Sequence, residues 1–277
     1  MALVTMDPSL IGTMSCNPAI GGLAKGQIVR EIDALGGLMG RVADATGIMF
    51  KVLNSSRGAA VRGPRCQSDK YAYRNETQRL LSQHPLIDIL QGTVADFLIE
   101  DEKIVGVVLP KGAGPVEYDG TRYPSKSKHP ASSETVIQTG NAVLTTGTFM
   151  RALMHTGEQQ EEGGRIGEGA AVGISATLSG LGFELGRLKT GTPPRLRRST
   201  IDWQGLEPQY GDSEPIPFSE SADLKKFPPL RQIECRITST TSPVHDLIRA
   251  NLHRAPMYSG AIDAEHGPRY CPSIEDK

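Results

Sequence analysis

The sequence contains no Cys-x-x-Cys pair. Its four cysteines, Cys16, Cys66, Cys235 and Cys271, are widely spaced, which argues against a zinc ribbon and a thioredoxin-type dithiol. It has no long apolar run and no secretory leader pattern, so a cytoplasmic protein with reduced thiols and no membrane contact is expected. A strong charge imbalance is missing too. The formal net charge is -1, which argues against a globally basic nucleic-acid binder, and any RNA contact has to use a local patch. No repeat of fixed period occurs, and the first fifty residues hold no G-x-G-x-x-G turn. What remains is an ordinary composition, 38% hydrophobic and 22% charged over 277 residues, enough for one large or two modest domains.

The stretch Ser15 to Gly26 (SCNPAIGGLAKG) organises the chain. A thiol and a proline turn lead to Gly21-Gly22, and Ile28, Ile32 and Leu35 then recur at helical spacing. A glycine pair opening a helix lets backbone approach a ligand, with the N–H groups of the first turn directed at it. This suits a phosphate or the electron-rich edge of a flavin, with Cys16 close to a helix end that lowers thiol pKa values. The same residues also read as a plain loop-to-helix turn with a structural cysteine.

Along the chain, Ala2 to Thr5 is a short buried strand and Gly36-Gly37 ends the first helix. Met49 to Leu53 is a strand, followed by the loop Asn54 to Arg65 (NSSRGAAVRGPR) and a helix over Asp69 to Ser82. Arg57, Arg62 and Arg65, with Lys70, Arg74 and the tyrosines Tyr71 and Tyr73, suit phosphate and base contacts; they equally describe a solvated charged face. Cys66 and His84 read as structural. Val94 to Glu100 and Ile104 to Leu109 form a β-hairpin about Asp101-Glu102-Lys103. Lys111 to Ser133 is a polar surface excursion. Glu134 to Ile137 and Ala142 to Thr145 are strands, Gly157 to Gly169 is a loop, and Ala170 to Leu178 is a short helix. Phe183 to Leu188 is strand-like and enters a second basic locus with Arg187, Lys189, Arg195, Arg197 and Arg198. Residues 202–231 are a proline-rich, irregular excursion. Glu234 to Thr238 is a strand, and Pro243 to Asn251 a helix with Ser242 as its N-cap.

Four stretches carry a resemblance. Cys16 to Gly37 (CNPAIGGLAKGQIVREIDALGG), Gly186 to Arg195 (GRLKTGTPPR), His253 to Gly260 (HRAPMYSG) and Gly267 to Lys277 (GPRYCPSIEDK) are similar to the glucose-inhibited division protein A family of tRNA uridine 5-carboxymethylaminomethyl modification enzymes. The resemblance implies an α/β, three-layer, glutathione-reductase-like FAD/NAD(P)-binding fold with an inserted second α/β region. Residues 1–150 would be a partial FAD-binding domain with a β-hairpin excursion. Residues 151–277 would be an inserted nicotinamide- and substrate-side region, truncated at the C-terminus. The family carries its G-x-G-x-x-G turn just upstream of where this chain begins, so the chain reads as an internal piece of about half the family's length, incomplete at the N-terminus.

The same resemblance implies FAD and NADH as cofactors, methylenetetrahydrofolate as one-carbon donor, and tRNA, a GTPase partner and a second copy of the chain as partners. Catalytic roles would fall to Cys16 and Cys271, as ring nucleophile or proton carrier. Cofactor contacts would come from Gly21, Gly22, Val94 and Ala171, where the family often has serine. Further contacts would come from Gly267, Pro268, Arg269, Tyr270, Pro272, Ser273, Ile274, Glu275, Asp276 and Lys277. Arg57, Arg62, Arg65, Lys189 and Arg195 would meet tRNA or phosphate, and no metal is expected. Two other classes fit less: a flavin- or nicotinamide-dependent oxidoreductase acting on a small molecule, and an inactive fragment or RNA-binding module without flavin.

Overall fold

A computed structural model of the chain describes residues 1–262, 265–266 and 274–275. The fold is mixed α/β, with small sheets of two and three strands. In chain order the strands are β1 (Ala2–Thr5), β2 (Ala19–Gly21), β3 (Gly47–Leu53), β4 (Gly63–Ser68), β5 (Asp88–Gln91), β6 (Asp96–Glu100), β7 (Lys103–Leu109) and β8 (Gly114–Pro115). Then come β9 (Thr135–Gln138), β10 (Leu153–Thr156), β11 (Gln159–Glu162), β12 (Leu188–Lys189), β13 (Glu207–Gln209), β14 (Cys235–Ile237) and β15 (Glu265–His266). The helices are α1 (Lys25–Ala34), α2 (Leu38–Thr46), α3 (Lys70–Ser82), α4 (Ile174–Gly180) and α5 (Ser242–Asn251). They belong to two compact units that interleave along the chain: residues 1–91, 115–128 and 197–238 form one, and residues 92–114, 129–196 and 239–277 the other.

In the first unit β4 is the centre of an antiparallel sheet ordered β2-β4-β3. Alternation along β4 sends Cys66 and Ser68 inward, where they are fully buried. Cys66 pairs with Phe50 and Ile20 across the sheet, and these residues meet Val29, Val42, Ala43, Tyr73 and Phe218 in the core. Burial pushes the Cys66 thiol up to about 12, as a structural cysteine requires. The first helix ends as its glycines demand: Gly36 takes φ +82°, and the Gly37 N–H donates to Ile32 O at 2.8 Å. α2 follows at once. Its buried side Gly40, Val42, Ala43, Asp44 and Thr46 is poor in large apolar residues, so no helical period stands out in the sequence.

A second sheet of this unit, ordered β1-β5-β8, begins with a parallel pairing of β1 and β5. The 111–133 stretch is not only a surface excursion: Val116 and Tyr123 are buried against Ile89. Gln78 of α3, fully buried, donates to Ser9 O (2.9 Å) and Ile11 O (3.1 Å) and accepts from the Tyr123 N–H (3.0 Å). Its polar capacity inside the core is thereby used.

In the second unit the hairpin β6–β7 turns at Asp101 and Glu102, both with positive φ, and β9 adds to β7. Several expectations are corrected here. Residues 142–145 form no strand, and of 183–188 only Leu188 enters β12; among the described residues no strand pairs with the rest. The 157–169 loop contains β11, which pairs with β10 in an antiparallel hairpin. α4 starts at Ile174, after Gly173 at φ +121°, and not at residue 170. α5 is capped by Thr241, with Ser242 inside the helix and proline in its first turn.

Candidate functional site

The glycine turn lies in the first unit and is built from four backbone approaches. Gly21 ends β2 at φ +85°, and a Cβ there would stand 2.2 Å from Pro64 O. The Gly22 N–H donates to the same Pro64 O at 2.7 Å. A Cβ on Gly63 would meet the Gly22 carbonyl carbon at 2.8 Å, and one on Gly26 would meet Pro64 O at 2.7 Å. The turn and the start of β4 therefore cross at a distance only glycine allows. Gly22 differs: at φ +100° a Cβ there would meet Leu53 Cδ1 at an ordinary 4.0 Å, yet the residue is buried and its carbonyl accepts from the Gly26 N–H at 2.8 Å. Its positive φ, and not a close contact, is what calls for glycine there.

The geometry alters one sequence expectation. The glycine pair does not open the helix directly; α1 begins at Lys25, after a tight turn in which the Lys25 N–H donates to Leu23 O at 2.7 Å. Ala24, at the centre of that turn, has φ 60° and ψ -41°, a strained γ-turn conformation for a residue with a Cβ. Cys16 is half-buried, and all of β2 separates it from α1, so it stands on the strand side of the turn.

The basic loop joins the same sheet. Arg57 and Arg62 are exposed, and the Arg62 Nε donates to the Arg57 carbonyl at 3.3 Å; the Gln27 amide of α1 donates to Arg62 O at 3.2 Å. Arg65 sits on β4 opposite Gly21 on one side and Lys51 on the other. Lys51 was not singled out in the sequence; a lone lysine in an apolar strand gives no signal until register puts it beside Arg65. Lys51 Nζ donates to Tyr210 O at 2.8 Å.

In the second unit Val94 and Ala171, both half-buried, flank one crossing: a Cβ on Gly173 would stand 2.9 Å from Ala95 O. Asp96 accepts a hydrogen bond from Thr177 of α4 beside it. The Ala171 backbone is spent on pairing, its N–H donating to Phe149 O at 2.7 Å and its carbonyl accepting from Arg151 at 2.9 Å. The second basic locus is dispersed in its partners. Arg187 donates to Arg151 O at 2.8 Å, Lys189 Nζ lies 2.7 Å from Met257 Sδ, and Arg195 is exposed. Ile274 and Glu275 are exposed. Cys271, Gly267, Pro268, Arg269, Tyr270, Pro272, Ser273, Asp276 and Lys277 lie outside the described residues.

The family described as Glucose inhibited division protein A matches residues 1–116 and 130–277. The chain belongs to that family. The tRNA uridine 5-carboxymethylaminomethyl modification enzyme MnmG of Rhodopirellula baltica is 48% identical over 286 aligned residues, covering all of this chain and 40% of that protein. The protein of the same name from Geotalea uraniireducens is 48% identical over 275 residues, again with 40% of its length covered. A crystal structure of Aquifex aeolicus GidA superposes with a TM-score of 0.81 at 40% identity, covering 99% of this chain and 43% of that one. The division protein A fold is thus shared, and the chain spans about 40% of the length of the curated relatives it matches.

Proposed function

We propose that this chain supplies part of the flavin and tRNA site of an enzyme that builds the carboxymethylaminomethyl group on C5 of the wobble uridine of certain tRNAs. Support comes from the relatives, which carry that name, and from the glycine turn. The observation that carries the reading is the close-packed Gly21–Gly22 turn beside the Arg65–Lys51 row. Glycines keep side chains out of the turn so that a flat cofactor can come near it, and the two cations favour an anionic group there. Val94 and Ala171 are proposed as further FAD contacts, together with the 267–277 run. FAD, when bound, supplies the redox chemistry, with NADH as reductant and methylenetetrahydrofolate as one-carbon donor.

The protein's own residues orient and exclude. Arg57, Arg62 and Arg65, with Lys189 and Arg195, are proposed to hold tRNA phosphates, which makes binding salt-dependent. Cys16 and Cys271 are proposed as thiols acting on the pyrimidine, one attacking the ring and the other moving a proton. The target base has to leave its stack to reach them. The whole protein is proposed to work in the cytoplasm as a homodimer with a GTPase partner. Among the described residues no helix is long and apolar enough to cross a membrane.

The test uses the whole protein in a strain lacking the gene. Complementation should restore the modified nucleoside in tRNA, and the purified protein should show flavin absorption. A flavin-free protein and unchanged nucleosides in the deletion strain would sink the proposal.

A further inference from the structure

We infer that Phe218 is a positioning residue for the Gly21–Gly22 turn, held in place by a charged strap from α1 and α2. The inference rests on the reading of that turn as a cofactor seat. Phe218 lies in the proline-rich stretch that the sequence presents as irregular, nearly two hundred residues from the turn. In the first unit its side chain is only 1% exposed and is the largest fully buried one.

The side chain is a wedge between two glycines, its ring tip at one and its Cβ at the other. A Cβ on Gly21 would stand 2.8 Å from Phe218 Cζ, and a Cβ on Gly40 of α2 would stand 3.3 Å from Phe218 Cβ. The end of β2 therefore rests on the ring tip, and interiors this dense transmit a displacement. If the ring shrinks, the turn has room to sink inward, and the Gly22 N–H bond to Pro64 O that fixes the turn against β4 is disturbed.

The strap that carries the ring is unusually well held. Four consecutive residues have backbone groups bound by side chains of α1 and α2. Arg30 donates to Pro217 O at 3.0 Å. Asp44 accepts from the N–H groups of Phe218 (2.8 Å) and Ser219 (2.7 Å) on its two oxygens. Asp33 accepts from the Glu220 N–H at 3.1 Å, and Arg30 also pairs with the Glu220 carboxylate at 2.9 Å. Asp44 is 5% exposed. A buried carboxylate spent wholly on two backbone donors is costly to keep for packing alone. It fixes where the Phe218 ring enters.

Plain core filling is the competing account, and Val42 separates the two. It is 1% exposed in the same cluster and on the same helix as Asp44, and it is not among the nearest atoms to a Cβ placed on Gly21, Gly22 or Gly26. Phe218→Leu, Phe218→Met, Asp44→Asn and Val42→Ala are made in the whole protein. Two readouts are taken below the melting transition: amide hydrogen exchange of the peptide spanning residues 19–27, and the dissociation constant for FAD. The Phe218 and Asp44 variants should speed exchange in that peptide and weaken FAD by about tenfold. Val42→Ala should lower the melting temperature comparably and do neither. Phe218→Met, whose unbranched chain adapts to the site more readily, decides the matter if the Leu variant folds poorly. Equal exchange in the peptide for Phe218 and Val42 variants overturns the inference. Faster exchange in a protein that takes up no FAD even as wild type would sustain the strap and instead remove the cofactor reading of the turn.

Discussion

Lys51 and Arg65 stand directly opposite each other on β3 and β4, in the sheet row that ends at Gly21. Like charges paired across strands destabilise, by roughly 0.2–1 kcal/mol. Stability alone does not favour such a pair beside a glycine turn; an anion site does. Arg65→Gln should therefore raise the melting temperature slightly while weakening tRNA binding in the whole protein. The slope of log affinity against log salt should become shallower by about one. Opposite signs in the two measurements are the diagnostic. A variant that loses stability and keeps its salt slope would make Arg65 a structural residue.

The strain at Ala24 gives a second prediction. Its φ of 60° and ψ of -41° belong to a turn that costs a residue with a Cβ on the order of 1–3 kcal/mol. Glycine removes that strain but loses about 0.5–1 kcal/mol of chain entropy. Ala24→Gly should then stabilise by about 1 kcal/mol, read as a higher urea midpoint at unchanged m-value. A lower midpoint would show that the Cβ is held by contacts stronger than the strain.

Of the first-unit sheet the sequence carried β3 and the flanking helix, read over Met49 to Leu53 and Asp69 to Ser82, but not β2 or the central strand β4, whose start lies in the stretch read as the loop Asn54 to Arg65. The structure bears this out in β3 and α3, where the Asp69 side chain accepts from the N–H groups of Tyr71 and Ala72. It failed where meaning is non-local. Residues 142–145 look like a strand by composition, yet a strand needs a partner, and among the described residues none pairs with them. α2 hides because Gly40, Asp44 and Thr46 fill its buried side. At the candidate site the glycines and Arg65 were legible. Lys51 and Phe218 were not, since register and a contact across nearly two hundred residues bring them there.

Asp44 provides a pH dependence of defined sign. Burial raises its carboxyl to about 6, against the pull of the Phe218 and Ser219 N–H groups; Asp33 nearby adds to the rise and Arg30 opposes it. The folded state thus holds a proton that the unfolded chain, with an ordinary carboxyl near 3.8, has already released. The Asp44 contribution to stability is present below about pH 4 and is lost as pH rises through about 6. The stability of the wild type relative to Asp44→Asn should accordingly fall between pH 4 and pH 7. Thermal melts of both proteins at matched ionic strength check this. A wild type that gains on the variant over the same range would mean that the two N–H bonds outweigh burial.

The cysteines allow a prediction that separates structure from chemistry. Cys66 is 0% exposed, packed beside the Ala43 carbonyl and Ser68 hydroxyl at 3.6 Å each, and burial holds its thiol at about 12. At pH 8 only about one molecule in ten thousand carries the thiolate there, and no reagent reaches it without opening the core. Cys16 is half-buried on the strand side of the glycine turn. Iodoacetamide at pH 8 should label Cys16 in the native protein and leave Cys66 untouched until urea unfolds it, with mass spectrometry reading each peptide. Native labelling of Cys66 would contradict the packing of β4 against α2. Cys16→Ser in the whole protein then tests the proposed chemistry. Loss of the modified nucleoside with FAD retained supports a thiol acting on the uridine. Loss of FAD alone makes Cys16 a wall of the cofactor seat, and normal modification with normal FAD removes it from the site.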